Sequence, residues 1–208
     1  SGNPAMAAVQ AVGRSPPEPV LDKRMIVSLF RRKGQNANRI IVDRVFRHVV
    51  DAARQPVLYA DWGIPDTPLG RYESLGLHMI VLLHRTRDSS EPLQALAQDV
   101  LDEFFKDVDH SIRELGVGDV GVPKRMKKLA RMFYGRMGPY WEAMDAGDAG
   151  ALAAALGRNI MPGDAATADF RADAIARYML AAVKALAARD DATLLTGDVA
   201  FPDAGAVA

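Results

Sequence analysis

With 208 residues, the chain can bury one sizeable core but is too short for two ordinary domains. Its 26 basic and 26 acidic residues cancel, so an electrostatic function must come from local asymmetry. It has no cysteine, which removes disulfides, thiolate nucleophiles, Cys-ligated zinc and covalent haem attachment and suits a reducing, intracellular compartment.

Residues 1–24 contain Pro4, Pro16, Pro17 and Pro19 among small residues, show no apolar periodicity and are expected to be disordered. Ser1 to Ala5 reads as an expression-vector remnant and Met25 as a native start. Met25 to Lys33 is a short apolar run ending in three bases, expected to pack on the domain or touch a membrane surface weakly. The first clear helix is expected over 37–53, with Asn36 or Asn38 as cap and Val42, Val45, Phe46, Val49, Val50 and Ala53 on one stripe. Gln55-Pro56 ends it, and a connection over 57–65 carries Tyr59 and Trp62.

Asp66 or Thr67 can cap the next helix and Pro68 can open it. That segment, about 68–87, is apolar nearly all round, with Arg71, Ser74, His78 and Arg85 as a narrow polar stripe, and is expected to be the central buried helix. Ser90 and Pro92 start an acidic helix in which Leu101, Phe104, Phe105, Val108, Ile112 and Leu115 repeat at helical spacing as far as Gly116. Residues 99–114 carry six acids against two bases.

A glycine-rich turn follows, then Pro123 opens a basic helix that carries Val122, Met126, Leu129, Ala130, Phe133 and Met137 on one arc. Lys124, Lys127, Lys128 and Arg131 lie opposite, and residues 123–137 hold six Lys or Arg and no acid. Gly116-x-Gly118-x-x-Gly121 matches a dinucleotide-binding fingerprint, but that motif requires a preceding strand and here a helix stands in front. Gly138-Pro139 is expected to break the chain before a short helix bearing Tyr140, Trp141 and Met144. Asp148 can cap an alanine-rich helix to about Gly157, and Pro162-Gly163 is a further break. The last helix, about 168–189, aligns Ile175, Met179, Ala182, Val183 and Leu186.

The expected fold is all-α: a single domain of six to eight helices over 25–189 around the helix at 68–87, with a flexible tail over 190–208. No run of about 18 apolar residues exists, so no transmembrane span is expected. There is no Gly-x-Ser-x-Gly elbow, Walker loop or His-Glu-x-x-His, and His48, His78, His84 and His110 have no metal-binding spacing. No catalytic residue, metal or cofactor is therefore assigned. His84 is expected to be a hydrogen-bonded core histidine and His110 a surface one. Trp62, Tyr140 and Trp141 are core aromatics or the lining of a pocket, the basis of an alternative reading as a ligand-binding or enzymatic helical domain. The basic helix is an ordinary solvated face, pairs with the acidic helix, or docks on nucleic acid, anionic lipid or an acidic protein, and spacing alone does not choose among these.

Three stretches resemble the ubiquinol–cytochrome c reductase (cytochrome bc1 complex) chaperones of the α-proteobacterial type. They are Ala53-Arg-Gln-Pro-Val-Leu-Tyr59, Gly63-Ile-Pro-Asp-Thr-Pro-Leu-Gly-Arg71, and Arg113-Glu-Leu-Gly-Val-Gly-Asp-Val-Gly-Val-Pro-Lys-Arg-Met-Lys-Lys128 with Phe133-Tyr-Gly-Arg136. The resemblance covers about residues 38–137 well and the last helix loosely. It implies an all-helical, non-enzymatic assembly factor whose client is cytochrome b or another bc1 subunit. It also implies contact with a ribosome or an anionic membrane surface, no DNA partner, and a cytoplasmic location with peripheral attachment at the inner membrane. The residues expected to bind a partner come from the charge of the basic helix itself and are Lys124, Arg125, Lys127, Lys128, Arg131 and Arg136.

Overall fold

The computed structural model describes residues 36–161 and 169–207. The expectations for residues 1–24, for the run from Met25 to Lys33 and for the break at Pro162-Gly163 lie outside the described residues. The fold is all-α, and among the described residues there is no strand. In chain order the helices are α1 (Asn36–Ala53), α2 (Pro56–Ala60), α3 (Pro68–Thr86), α4 (Glu91–Glu114), α5 (Val122–Ala146), α6 (Ala149–Ile160), α7 (Ala172–Ala187), α8 (Asp191–Leu195) and α9 (Ala204–Val207).

The helix termini follow local chemistry. Thr67 caps α3 by accepting from the Gly70 N–H at 3.1 Å, and Pro68 occupies the first turn, where no N–H is needed. Asp148 caps α6 through the Ala151 N–H at 2.9 Å. Gly116 takes φ 77° after α4, the left-handed conformation that a glycine adopts without a Cβ clash. Glycine is needed at 70 for another reason: a Cβ there would lie 1.8 Å from the Pro65 carbonyl oxygen.

As expected, α3 is central, packing against α1, α4, α5 and α7. Met79, Ile80, Val81 and Leu82 are all buried. Of its expected polar stripe, Ser74 and His78 are buried, as are Glu73 and Thr86 outside it, whereas Arg71 is exposed and Arg85 half-buried. Ser74 Oγ donates to the Ala53 carbonyl at 2.8 Å. His78 Nδ1 lies 2.7 Å from the Ser74 carbonyl, which can only accept, so this nitrogen carries the proton and Nε2 accepts from Tyr178 Oη at 2.9 Å. Tyr178 in turn accepts from Gln55 Nε2 at 3.2 Å, and Gln55 Oε1 accepts from the Ala204 N–H at 2.6 Å. Every donor in this chain of bonds points the same way. Among the described residues no buried side-chain polar atom lacks a partner. Glu73 is ion-paired with Arg136 of α5, whose guanidinium also donates to the Asn159 carbonyl at 3.0 Å.

Two expectations are corrected. Gly138-Pro139 does not break the chain: α5 continues through Pro139 to Ala146. Proline within a helix costs roughly 3 kcal/mol, but a continuous helix keeps Phe133, Tyr140 and Met144 on one buried face, and that packing outweighs the loss. The segment after Asp190 is not a flexible tail. Asp190 caps α8 through the Thr193 N–H, Leu194, Val199 and Ala204 are buried, and Phe201 meets His78 edge-on with ring centroids 5.2 Å apart. Its small and polar composition hid these anchors.

Three measurements test this account. Gly70→Ala should destabilise the protein severely, whereas Gly157→Ala, where an added Cβ meets nothing within 4 Å, should add about 0.5–1 kcal/mol; thermal unfolding compares them. Glu73→Ala should cost about 3–5 kcal/mol by leaving Arg136 uncompensated, and Glu73→Leu with Arg136→Met should recover most of that loss in urea titrations. Burial depresses the His78 pKa from 6.5 to about 4, only partly offset by its bond to Ser74. The unfolded chain therefore binds the extra proton between those values, so stability is whole above pH 6.5 and falls as pH drops toward 4. The expected loss between pH 7 and pH 5 is about 2 kcal/mol, and a urea midpoint that stays constant over this range would contradict it.

Candidate functional site

Four contacts show that α3 and α5 run parallel. Tyr72 Oη donates to the Leu129 carbonyl at 2.7 Å, a Cβ on Gly76 would touch Phe133 at 3.7 Å, Trp141 Nε1 donates to the Ile80 carbonyl at 3.2 Å, and His84 Nε2 lies 2.9 Å from Asp145 Oδ1. α4 crosses the same face through Phe104 and Phe105, whose rings meet Tyr72 and Phe133. From Phe133 onward, the inner side of α5 is held by this aromatic contact and then by Tyr140, Ala143 and Met144 in the core. Its first three turns are different.

There Val122 is buried, but Met126, Leu129 and Ala130 are only half-buried, as are Met132 and Met137 further along. The apolar arc read from the spacing exists, but α3 and α4 cover only part of it. On the outer side Lys124, Arg125, Lys127, Lys128 and Arg131 are exposed, and among the described residues none of them forms an ion pair. Five of the six acids over 99–114 are engaged elsewhere. Asp99 accepts from Asn38 at 2.6 Å, Asp102 from Gln98 at 2.8 Å, and Glu103 pairs with Lys106 at 3.0 Å. Arg113 bridges Asp109 at 2.7 Å and Asp119 at 2.5 Å, and Glu114 meets His110 at 3.1 Å. Pairing between the acidic and basic helices is therefore not what occupies this face. Partial burial also raises the Asp102 carboxyl above its ordinary range, which makes it a weaker partner for a base.

Arg136 is a correction. It was grouped with the docking cations, but it points inward to Glu73 and the Asn159 carbonyl and acts as a structural tie between α3, α5 and α6. The buried acid that claims it stands on another helix, so helical spacing within α5 could not reveal it. Leu115, which continues the apolar spacing of α4, is 56% exposed at the end of that helix, and Leu69, in the first turn of α3, is 54% exposed. Val120, in the turn before α5, is 96% exposed and carried no signal in the periodicity.

The aromatic residues do not share a pocket. Trp62 packs on Tyr178, with centroids 5.8 Å apart, whereas Trp141 lies against His84 and under the Arg87 guanidinium at 5.3 Å. Tyr140 is buried separately and accepts from Asn159 at 3.1 Å. The cavity beside Leu77, His78, Tyr178 and Met179 measures about 10 Å³, room for one water and not for a substrate. His84 is held half-buried by Asp145, and His110 is exposed on α4. Among the described residues no helix is long and apolar enough to cross a membrane.

Comparison with known proteins agrees with the resemblance in the sequence. The profile of the ubiquinol-cytochrome C chaperone family matches residues 60–201. A search of curated proteins finds no significant match. A crystal structure of the Cbp3 homolog from Brucella abortus is similar at 54% sequence identity and a TM-score of 0.77, covering 88% of this chain and 99% of that one. With the family profile spanning most of the folded region, the chain belongs to the ubiquinol-cytochrome C chaperone family.

Proposed function

We propose that the protein is a non-enzymatic assembly chaperone of the respiratory cytochrome bc1 complex that receives newly made cytochrome b and works in the cytoplasm, attached peripherally at the inner membrane. The observation that carries this reading, together with the family, is the first half of α5. Five exposed cations that form no ion pair among the described residues flank a half-buried stripe of Met126, Leu129 and Ala130. A client entering a membrane presents apolar segments with charged or anionic surroundings, and methionine adapts its unbranched, polarizable side chain to varied apolar shapes. The basic rim supplies long-range attraction to an anionic surface and orients the encounter. The alternative reading as an enzyme or small-ligand domain has no support in the separated aromatics or in a cavity the size of one water.

Replacing Lys124, Lys127, Lys128 and Arg131 with Glu tests the proposal in a strain lacking the protein. Because all four side chains are exposed, the variant should unfold cooperatively near the wild-type temperature. It should nevertheless recover roughly tenfold less cytochrome b in in-cell crosslinking and fail to restore assembled bc1 complex in membranes. A stably folded variant that restores the complex fully would show that this face is not the docking site.

A further inference from the structure

The described residues expose four large apolar side chains: Ile40, Leu69, Leu115 and Val120. Three of them gather at one end of the molecule. Leu115 and Val120 lie in the turn between α4 and α5, with Val117 half-buried between them. Because α3 and α5 run parallel, Leu69 stands at the same end, about one helical turn behind the start of α5 at about 1.5 Å per residue. This end also carries the basic rim. From Arg113 to Arg131 there are six cations against two acids, and one of those acids, Asp119, is held by Arg113 at 2.5 Å. The other, Glu114, faces His110.

We infer that the α4–α5 turn is a membrane-docking tip, in which Val120 and Leu115 enter the headgroup region of an anionic bilayer while Lys124, Arg125, Lys127, Lys128 and Arg131 bind lipid phosphates around it. The inference rests on the reading of α5 as a docking face and names its anionic partner. The arrangement is that of an interfacial anchor: a small aliphatic prong, too short to span, surrounded by long basic side chains whose stems lie along apolar surface while their charged ends reach phosphate. The cations lie on the first three turns of α5, within roughly 15 Å of the prong, close enough to engage headgroups while the prong is buried. A single-stranded nucleic acid fits the same charge less well. It is gripped by aromatics exposed among the bases, and here Phe133 is buried, Tyr134 only half-exposed, and the exposed apolar groups are aliphatic. Gly116 and Gly118, which have no neighbour within 4 Å of an added Cβ, leave the sides of the prong unobstructed.

Flotation of the full chain with phosphatidylcholine vesicles, with or without phosphatidylglycerol, tests the tip, and a single-stranded RNA serves as a second ligand. Binding to the phosphatidylglycerol vesicles is expected, with little to phosphatidylcholine alone. Lys127→Glu with Lys128→Glu should weaken it by more than tenfold, from about fivefold for each charge removed, and raised salt should do the same. Val120→Asp, at a position where the fold makes no demand, should weaken it by about tenfold with no change in unfolding temperature. Loss on charge reversal but not with Val120→Asp would overturn the inserting prong in favour of surface adsorption. Retention of RNA without vesicle binding would overturn the lipid partner. If wild-type protein ignores both vesicle types while the fourfold Glu variant still fails to restore the bc1 complex, the lipid partner falls and the chaperone reading stands.

Discussion

Burying the middle of α3 places Glu73, Ser74, His78 and Thr86 out of solvent, so each must find a partner within the protein. The partners come from across the chain. α1 offers the Ala53 carbonyl, α7 offers Tyr178, α5 offers Arg136, and Thr86 returns to the Leu82 carbonyl of its own helix at 3.1 Å. At the exit of the helix Arg85 donates to the carbonyls of Leu186 at 3.1 Å and Arg189 at 2.8 Å, and pairs with Asp191 at 2.9 Å. Hydrophobic packing alone would tolerate small shifts of these helices against one another. Directional bonds to buried donors and acceptors do not, because each broken one leaves a desolvated group unpaired.

The same requirement orders the C-terminal segment. Gln55, placed between α1 and α2, accepts from the Ala204 N–H and donates to Tyr178, so the docking of α9 is joined through Tyr178 to His78 in the centre of the molecule. A neutral histidine with a fixed tautomer is what such a one-directional chain needs, and burial keeps it neutral by holding its pKa near 4.

The central helix also decides which part of α5 is structural and which is free. Tyr72 and Glu73 take the Leu129 carbonyl and the Arg136 side chain, anchoring the middle of α5 to the start of α3. Beyond Tyr72, toward Val122, α3 extends back only about one more turn to its start at Pro68, and α4 runs out into its turn. Among the described residues the cations there meet no acid, and they are exposed. A rigid rear half and a projecting front half on one continuous helix let the protein present charge and aliphatic surface from a fixed base, which lowers the conformational cost of binding. The continuity through Pro139 joins this anchored stretch to Tyr140, Ala143 and Met144, which hold the last turns of the helix in the core.

Much of this was written in local pattern. The 3.6-residue spacing of Val42, Val45 and Val49, and of Ile175, Met179 and Ala182, places helices and their buried faces because a helix repeats its environment at that period whatever it packs against. Caps at Thr67 and Asp148 and the left-handed glycine at 116 are likewise settled within a few residues. The glycine turn followed by a lysine-rich helix carried the family resemblance for the same reason, since it is one contiguous stretch. What the sequence could not determine are quantities that depend on elements distant in the chain. Arg136 is turned inward and Lys128 exposed, though both are cations of one helix, because only the first meets Glu73. The composition of residues 190–207 suggested a frayed end, yet they fold because Gln55 and the His78 ring receive them. Leu115 continues a buried stripe by spacing and is nevertheless exposed at the end of its helix. Period and capping are local properties of the backbone, whereas burial and pairing depend on which surfaces meet, and only the tertiary structure decides that.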